Sequence, residues 1–121
     1  VLQALDEAIK ATASGTRLTL YLALDYSGRS ELLQAIGRLV QDGVEATSEN
    51  LEQRLFTRGV PDPDLLIRTA GEMRISNFLL WQIAYSEIYV SEQCWPDFDS
   101  ESLDVAIAEY TNRERTFGKI K

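Results

Sequence analysis

The stretch Arg17–Asp25, RLTLYLALD, constrains the fold of this chain more than any other. Leu18, Leu20, Leu22 and Leu24 alternate with Thr19, Tyr21 and Ala23, the two-residue period of a β-strand. Neither face is strongly polar. A strand of this kind needs cover on both sides, which is the situation of a central strand in a parallel sheet. Parallel strands in turn need crossover connections, usually helices, so the rest of the chain should alternate helix with strand.

It does so. Leu2 to Ala13 reads as a helix with Leu2, Leu5 and Ile9 on one stripe and Asp6 facing Lys10. The turn YSGRS follows the first strand, with Ser30 placed to cap a helix that runs to about Asp42 on Leu32, Leu33, Ile36, Leu39 and Val40, and Gly43 to close it. In TSENLEQRLFTRG, Thr47 or Ser48 is the cap, Leu51 and Leu55 point inward and Gly59 ends the helix. VPDPD breaks helix and leads into a short strand, LLIRT. The glycine loop TAGEM precedes a helical pattern, ISNFLLWQIAY, and then a short strand, EIYV. CWPDFD is a turn, after which Asp99 or Ser100 caps a last helix through Leu103, Ala106, Ile107 and Tyr110.

The predicted order is α-β-α-α-β-α-β-α, an α/β arrangement with a parallel sheet and helices on both faces. Only about three strands are available, too few to shelter a first strand that is apolar on both sides. The expectation is therefore part of a domain, with the remainder of the sheet missing. A helical pattern already running at Val1, without a cap or an initiator methionine, points the same way.

Composition narrows the function. A net charge of −7 argues against nucleic-acid binding, which needs a basic surface to displace counterions. The absence of histidine removes the commonest metal ligand and neutral-pH acid/base. A single cysteine, Cys94, excludes an internal disulfide and fits a reducing, cytoplasmic compartment. With no base or cation beside it in sequence, Cys94 reads as a small buried residue. No apolar run approaches 20 residues, so no membrane-spanning helix is expected.

Chemistry concentrates at the seam between the second strand and its following helix. In an open parallel sheet, ligands bind outside the carboxyl ends of the strands. Arg68 sits at such an end, as does Asp25. Arg74 lies across the loop, and Ser76 opens the helical pattern, where backbone N–H groups without intrahelical partners favour an anion. Two guanidiniums, a hydroxyl and free amides at one point suit a phosphate or diphosphate. The alternative is a structural one, in which Arg68 and Arg74 pair with Glu72 and Asp64. Glu87 begins the third strand and belongs at the opposite, amino end of the sheet, where as an isolated residue it reads as a solvated glutamate. Ser27 to Arg29 either edges the pocket or forms a plain βα turn whose Gly28 permits the bend.

The segments DYSGR, PDLLIRTAGEMRISNFLLWQIAYSEIYV, WPDFD and NRERTFG resemble the cis-prenyltransferases of the undecaprenyl diphosphate synthase type. The resemblance places residues 1–121 in the C-terminal half of a single catalytic domain. It implies condensation of isopentenyl diphosphate with an allylic diphosphate, such as farnesyl diphosphate or longer, into a cis-polyprenyl diphosphate. The positions of Arg68, Arg74 and Ser76 would bind the diphosphate of isopentenyl diphosphate. Glu87 would help hold Mg2+ at the partner subunit's site in a homodimer, which would reconcile its place at the far end of the sheet. The run NFLLWQIAYSE would lie at the dimer contact, and the lipid product would bring the enzyme to a membrane surface. The family's aspartate loop, Asp-Gly-Asn-Gly-Arg-Trp, is absent here, so no catalytic residue is expected in this chain and no synthase activity from it alone. The chain departs from the family at Ala70, where a second glycine is usual, at Met73, where some members carry histidine, and at Thr116, where arginine is common. A non-catalytic partner subunit and a stand-alone phosphate-binding module are the other readings of the same residues.

Overall fold

The structure, a computed structural model, describes residues 2–114. Leu65–Arg68 (β1) and Glu87–Val90 (β2) pair in parallel, in the register Leu65 with Glu87 through Arg68 with Val90. The described residues also form four helices, Leu2–Thr12 (α1), Gly28–Asp42 (α2), Ser48–Glu52 (α3) and Ser100–Thr111 (α4), with a 3-10 turn at Trp95–Asp97 before α4; α4 packs on β2 and α2 on α3. The α/β character and the parallel pairing agree with the sequence reading.

The helices start and stop where short polar residues and glycine allow. Asp99 caps α4 by accepting from the Ser102 N–H at 2.9 Å and from its hydroxyl at 2.8 Å. Thr47 caps α3 through the Asn50 N–H, and the helix ends at Glu52, after which turns carry the chain to Gly59. Gly43, at φ 64°, closes α2 with its N–H on the carbonyls of Leu39 and Val40. The cap of α2 is Ser27, not Ser30: the Ser27 hydroxyl accepts from the Ser30 N–H, which starts the helix at Gly28.

The core is small. Ala35 and Leu39 of α2 meet Leu51 and Leu55, with Leu32, Val44 and Trp81 packed against them. The rest of the predicted stripe on α2 is not covered, and Leu33, Ile36 and Val40 are exposed.

Two predicted elements do not form. Leu18–Leu24 runs without a ladder, because β1 and β2 pair with each other alone and no third strand lies beside them among the described residues. Its leucines are correspondingly bare, Leu18 at 86% and Leu20 at 75% exposure. The pattern ISNFLLWQIAY is a succession of turns rather than a helix. Ser76, Asn77 and Leu79 adopt left-handed backbone angles, and the Asn77 carbonyl accepts from the Gly28 N–H at 2.8 Å instead of continuing a helical ladder. A bond made outside the segment has overridden its helical period.

Cys94 is exposed, contrary to the expectation of a buried thiol, because the Trp95–Asp97 turn lies at the surface and carries Trp95 out with it. Thr116 and the arginine before it, Arg115, lie outside the described residues.

Candidate anion-binding site

The loop leaving β1 is stapled to the loop leaving β2. Ser91 N–H donates to the Arg68 carbonyl at 2.7 Å, Ala70 N–H to Gln93 at 2.7 Å and Gly71 N–H to Ser91 at 2.8 Å. Ala70 and Gly71 are both left-handed, which turns the chain sharply after the strand. At Gly71 the φ of 63° is what calls for glycine, since the one group a Cβ would meet is the end of the exposed Glu92 side chain, which can move aside. The turn sends Glu72 and Arg74 back towards the strand end.

There the two predicted arginines converge. Arg74 Nη2 contacts Glu72 Oε2, and Arg68 Nη2 lies 3.7 Å from the same oxygen. The structural pairing foreseen in the sequence is thus made through Glu72. All three side chains line one cavity of about 240 Å³, floored by Leu66, Ile88 and Val90. Arg68 Nε is buried there without a hydrogen-bond partner. An orphaned buried donor carries a penalty of about 1–3 kcal/mol, and an incoming oxyanion would remove it. Two guanidiniums against one carboxylate leave a local excess of positive charge within a chain of net charge −7. Such a site can take a tetrahedral oxyanion at its mouth and an apolar group on its floor.

The other predicted residues are placed differently. Ser76 is exposed, two residues beyond Arg74, at φ 53°. It heads a run of turns, so the expected ring of helix N-terminal amides is not formed. Asp25 follows the unpaired segment, is exposed, and does not line the arginine cavity.

Glu87 opens β2 opposite Leu65, whereas Arg68 ends β1 opposite Val90. Three residues along the sheet separate the two ends by roughly 10 Å. Glu87 is not simply solvated: Arg113 Nη1 pairs with it at 3.1 Å, donates to the Ile88 carbonyl at 2.9 Å, and Arg113 also pairs with Glu109. Among the described residues, no three His, Cys, Asp or Glu side chains gather into a metal-binding group. A single carboxylate fits one ligand of a Mg2+ ion whose other positions are filled by phosphate oxygens and water.

One buried group escaped the sequence reading. Glu31, 2% exposed, accepts from the Phe56 N–H at 2.8 Å, from Gln82 Nε2 at 3.2 Å and from the Tyr26 hydroxyl. Burial, reinforced by the Glu31 carboxylate, pushes the Tyr26 hydroxyl above the usual tyrosine range. In sequence Glu31 looks like an ordinary first-turn acid beside a helix N-terminus, and its partners lie as far away as Gln82.

A family profile described as putative undecaprenyl diphosphate synthase matches residues 1–118. The chain belongs to this prenyltransferase family. It is 51% identical over 120 residues to an isoprenyl transferase of Neisseria gonorrhoeae, covering 98% of this chain and 48% of that protein. It is 52% identical over 126 residues to an isoprenyl transferase of Porphyromonas gingivalis, covering 98% and 50%. Among solved structures, a probable undecaprenyl diphosphate synthase from Campylobacter jejuni superposes with a TM-score of 0.82 at 38% identity, covering 97% of this chain and 55% of that one. Lavandulyl diphosphate synthase from Lavandula x intermedia, solved with dimethylallyl diphosphate, superposes at 0.86 with 35% identity, covering 98% and 54%. The chain spans about half the length of the curated relatives it matches.

Proposed function

We propose that the protein is a cis-prenyltransferase that condenses isopentenyl diphosphate with an allylic diphosphate, and that this chain carries the isopentenyl diphosphate site. The observation that supports this most is the convergence of Arg68 and Arg74 on one apolar-floored cavity, with Arg68 Nε left without an acceptor. In this reading the two guanidiniums and the Ser76 hydroxyl grip the diphosphate, while Leu66, Ile88 and Val90 receive the five-carbon chain. Glu72 gives up part of its contact with Arg74 as the diphosphate enters.

The reaction breaks the allylic carbon–oxygen bond, releasing diphosphate. The isopentenyl double bond attacks that allylic carbon, forming the new carbon–carbon bond, and a proton leaves the adjacent carbon. The two arginines hold the nucleophile's diphosphate so that its double bond presents one end to the allylic carbon. Mg2+ would neutralise diphosphate charge, with Glu87 as one ligand at a partner subunit's site in a homodimer. Glu87 would then exchange its ion pair with Arg113 for the metal. The protein would work in the cytoplasm and meet membranes through its lipid product. No helix among the described residues is long and apolar enough to cross one.

Calorimetric titration with isopentenyl diphosphate tests the assignment. Arg68→Ala and Arg74→Ala should each weaken binding about 10- to 100-fold, the range of a lost charge-assisted hydrogen bond. Wild-type affinity in both variants would overturn it, and equal affinity for unrelated phosphate esters would point to a general phosphate-binding module. Separately, this chain alone should make no polyprenyl product from radiolabelled isopentenyl diphosphate.

A further inference from the structure

We propose that Asn77 is a positioning residue for the diphosphate pocket, holding the Ser76 loop against the turn that starts α2. The inference rests on Ser76 being a diphosphate ligand.

Ser76, Asn77 and Leu79 have φ of 53°, 63° and 43°, angles that residues with a Cβ rarely adopt unless held there. The restraint comes from across the chain. Asn77 Oδ1 accepts from the Arg29 N–H at 2.9 Å, Asn77 Nδ2 donates to the Ser27 hydroxyl oxygen at 2.9 Å, and the Asn77 carbonyl accepts from the Gly28 N–H at 2.8 Å. Three bonds from one residue thus meet three consecutive residues. Ser27 Oγ also caps α2 by accepting from the Ser30 N–H.

The fit is close as well as polar. A Cβ on Gly28 would lie 2.9 Å from Leu80 Cγ and 3.0 Å from the Asn77 carbonyl oxygen. The rings of Tyr26 and Phe78 meet edge to face beside it at 5.7 Å. The turn belongs to α2, whose Ala35 and Leu39 are in the core. The Ser76 loop is therefore referenced, through Asn77, to the helix that carries the buried core. Asparagine suits the position because it tolerates the left-handed region and offers both a donor and an acceptor. Without these bonds, residues 76–79 relax towards right-handed angles and Ser76 loses the place from which it would serve the diphosphate.

A thermodynamic cycle in the purified protein tests this, with isopentenyl diphosphate titrated calorimetrically into wild type, Ser76→Ala, Asn77→Ala and the double variant. Each single change should weaken binding about tenfold, and the double variant should be no weaker than Ser76→Ala. Unchanged affinity in Asn77→Ala would overturn the proposal. So would losses that multiply in the double variant, since general structural damage does not depend on Ser76. If Asn77→Ala does not fold, Ser27→Ala decides: it removes one bond of the clasp, and a weakening that disappears in the Ser76→Ala background supports the proposal, whereas wild-type affinity sinks it. Arg68→Ala separates the two readings. If it binds as wild type the pocket assignment fails; if it loses affinity while Asn77→Ala does not, only the positioning role fails.

Discussion

Glu31 holds together segments that the sequence keeps far apart. Its carboxylate is buried and satisfied by Tyr26, Phe56 and Gln82, and Gln82 Nε2 also reaches the Thr57 hydroxyl at 2.9 Å. Glu31→Ala takes the acceptor from the Tyr26 hydroxyl and the Phe56 N–H and leaves Gln82 Nε2 with the Thr57 hydroxyl alone, so it should lower unfolding free energy by about 2 kcal/mol in urea titrations. Glu31→Gln keeps an acceptor oxygen and should lose less; equal stability of all three proteins would contradict the network. Asp62 carries a pH signature. Partial desolvation at an otherwise exposed position, then the neighbouring Glu52, raises its carboxyl above the ordinary 3.8. Its contribution to stability is complete below that value and declines as pH rises through the folded-state pKa. Asp62→Asn should therefore raise the melting temperature at neutral pH, with the gain vanishing in acid below 3.8, as scanning calorimetry across pH would show. At this scale the arginines were legible in the sequence because permanent charge beside an apolar run is conspicuous. Glu31 and Asn77 were not, because all their partners but Tyr26 lie 25 to 51 residues away.

Helix boundaries were largely readable, since capping is local chemistry. Asp99, Thr47 and Gly43 each sit where a short polar side chain or a left-handed turn meets a helix end. Asp99 gives the clearest test. Hydrogen bonds from the Ser102 N–H, then its hydroxyl, hold the Asp99 carboxyl below the ordinary 3.8. A depressed folded-state pKa contributes stability that is present above 3.8 and lost as pH falls through the folded value. Asp99→Ala should lower the melting temperature at neutral pH and flatten the acid limb of the stability profile; an unchanged acid limb would show that the cap carries no such linkage. The two elements misread from sequence failed for separate reasons. In Arg17–Asp25 the alternation specified how side chains would face, but a strand also needs a neighbour, and side-chain alternation does not encode one. In Ile75–Tyr85 the helical period was real, yet Asn77 had a better use for its carbonyl and amide at the α2 turn.

The molecule as a whole joins a small core to a large amount of uncovered apolar surface. A two-stranded sheet has two open edges and is marginal on its own. The exposed Leu18–Leu24 segment lies beside α1, which buries none of its residues, and the two line a shared apolar groove through Leu5, Ile9, Leu18, Leu20 and Leu22. Exposed apolar surface of this extent drives association. The net charge of −7 opposes it, though salt screens that repulsion and leaves the apolar term intact. The chain should therefore self-associate in a concentration-dependent way, more strongly at high salt, in sedimentation velocity. Replacing Leu20 and Leu22 by lysine breaks up this apolar groove without touching the core of α2 and α3, so the double variant should sediment as a smaller species with an unchanged far-UV circular dichroism spectrum. A wild-type chain that stays monomeric at high concentration and high salt would mean that this surface is not the dominant sticky feature of the molecule.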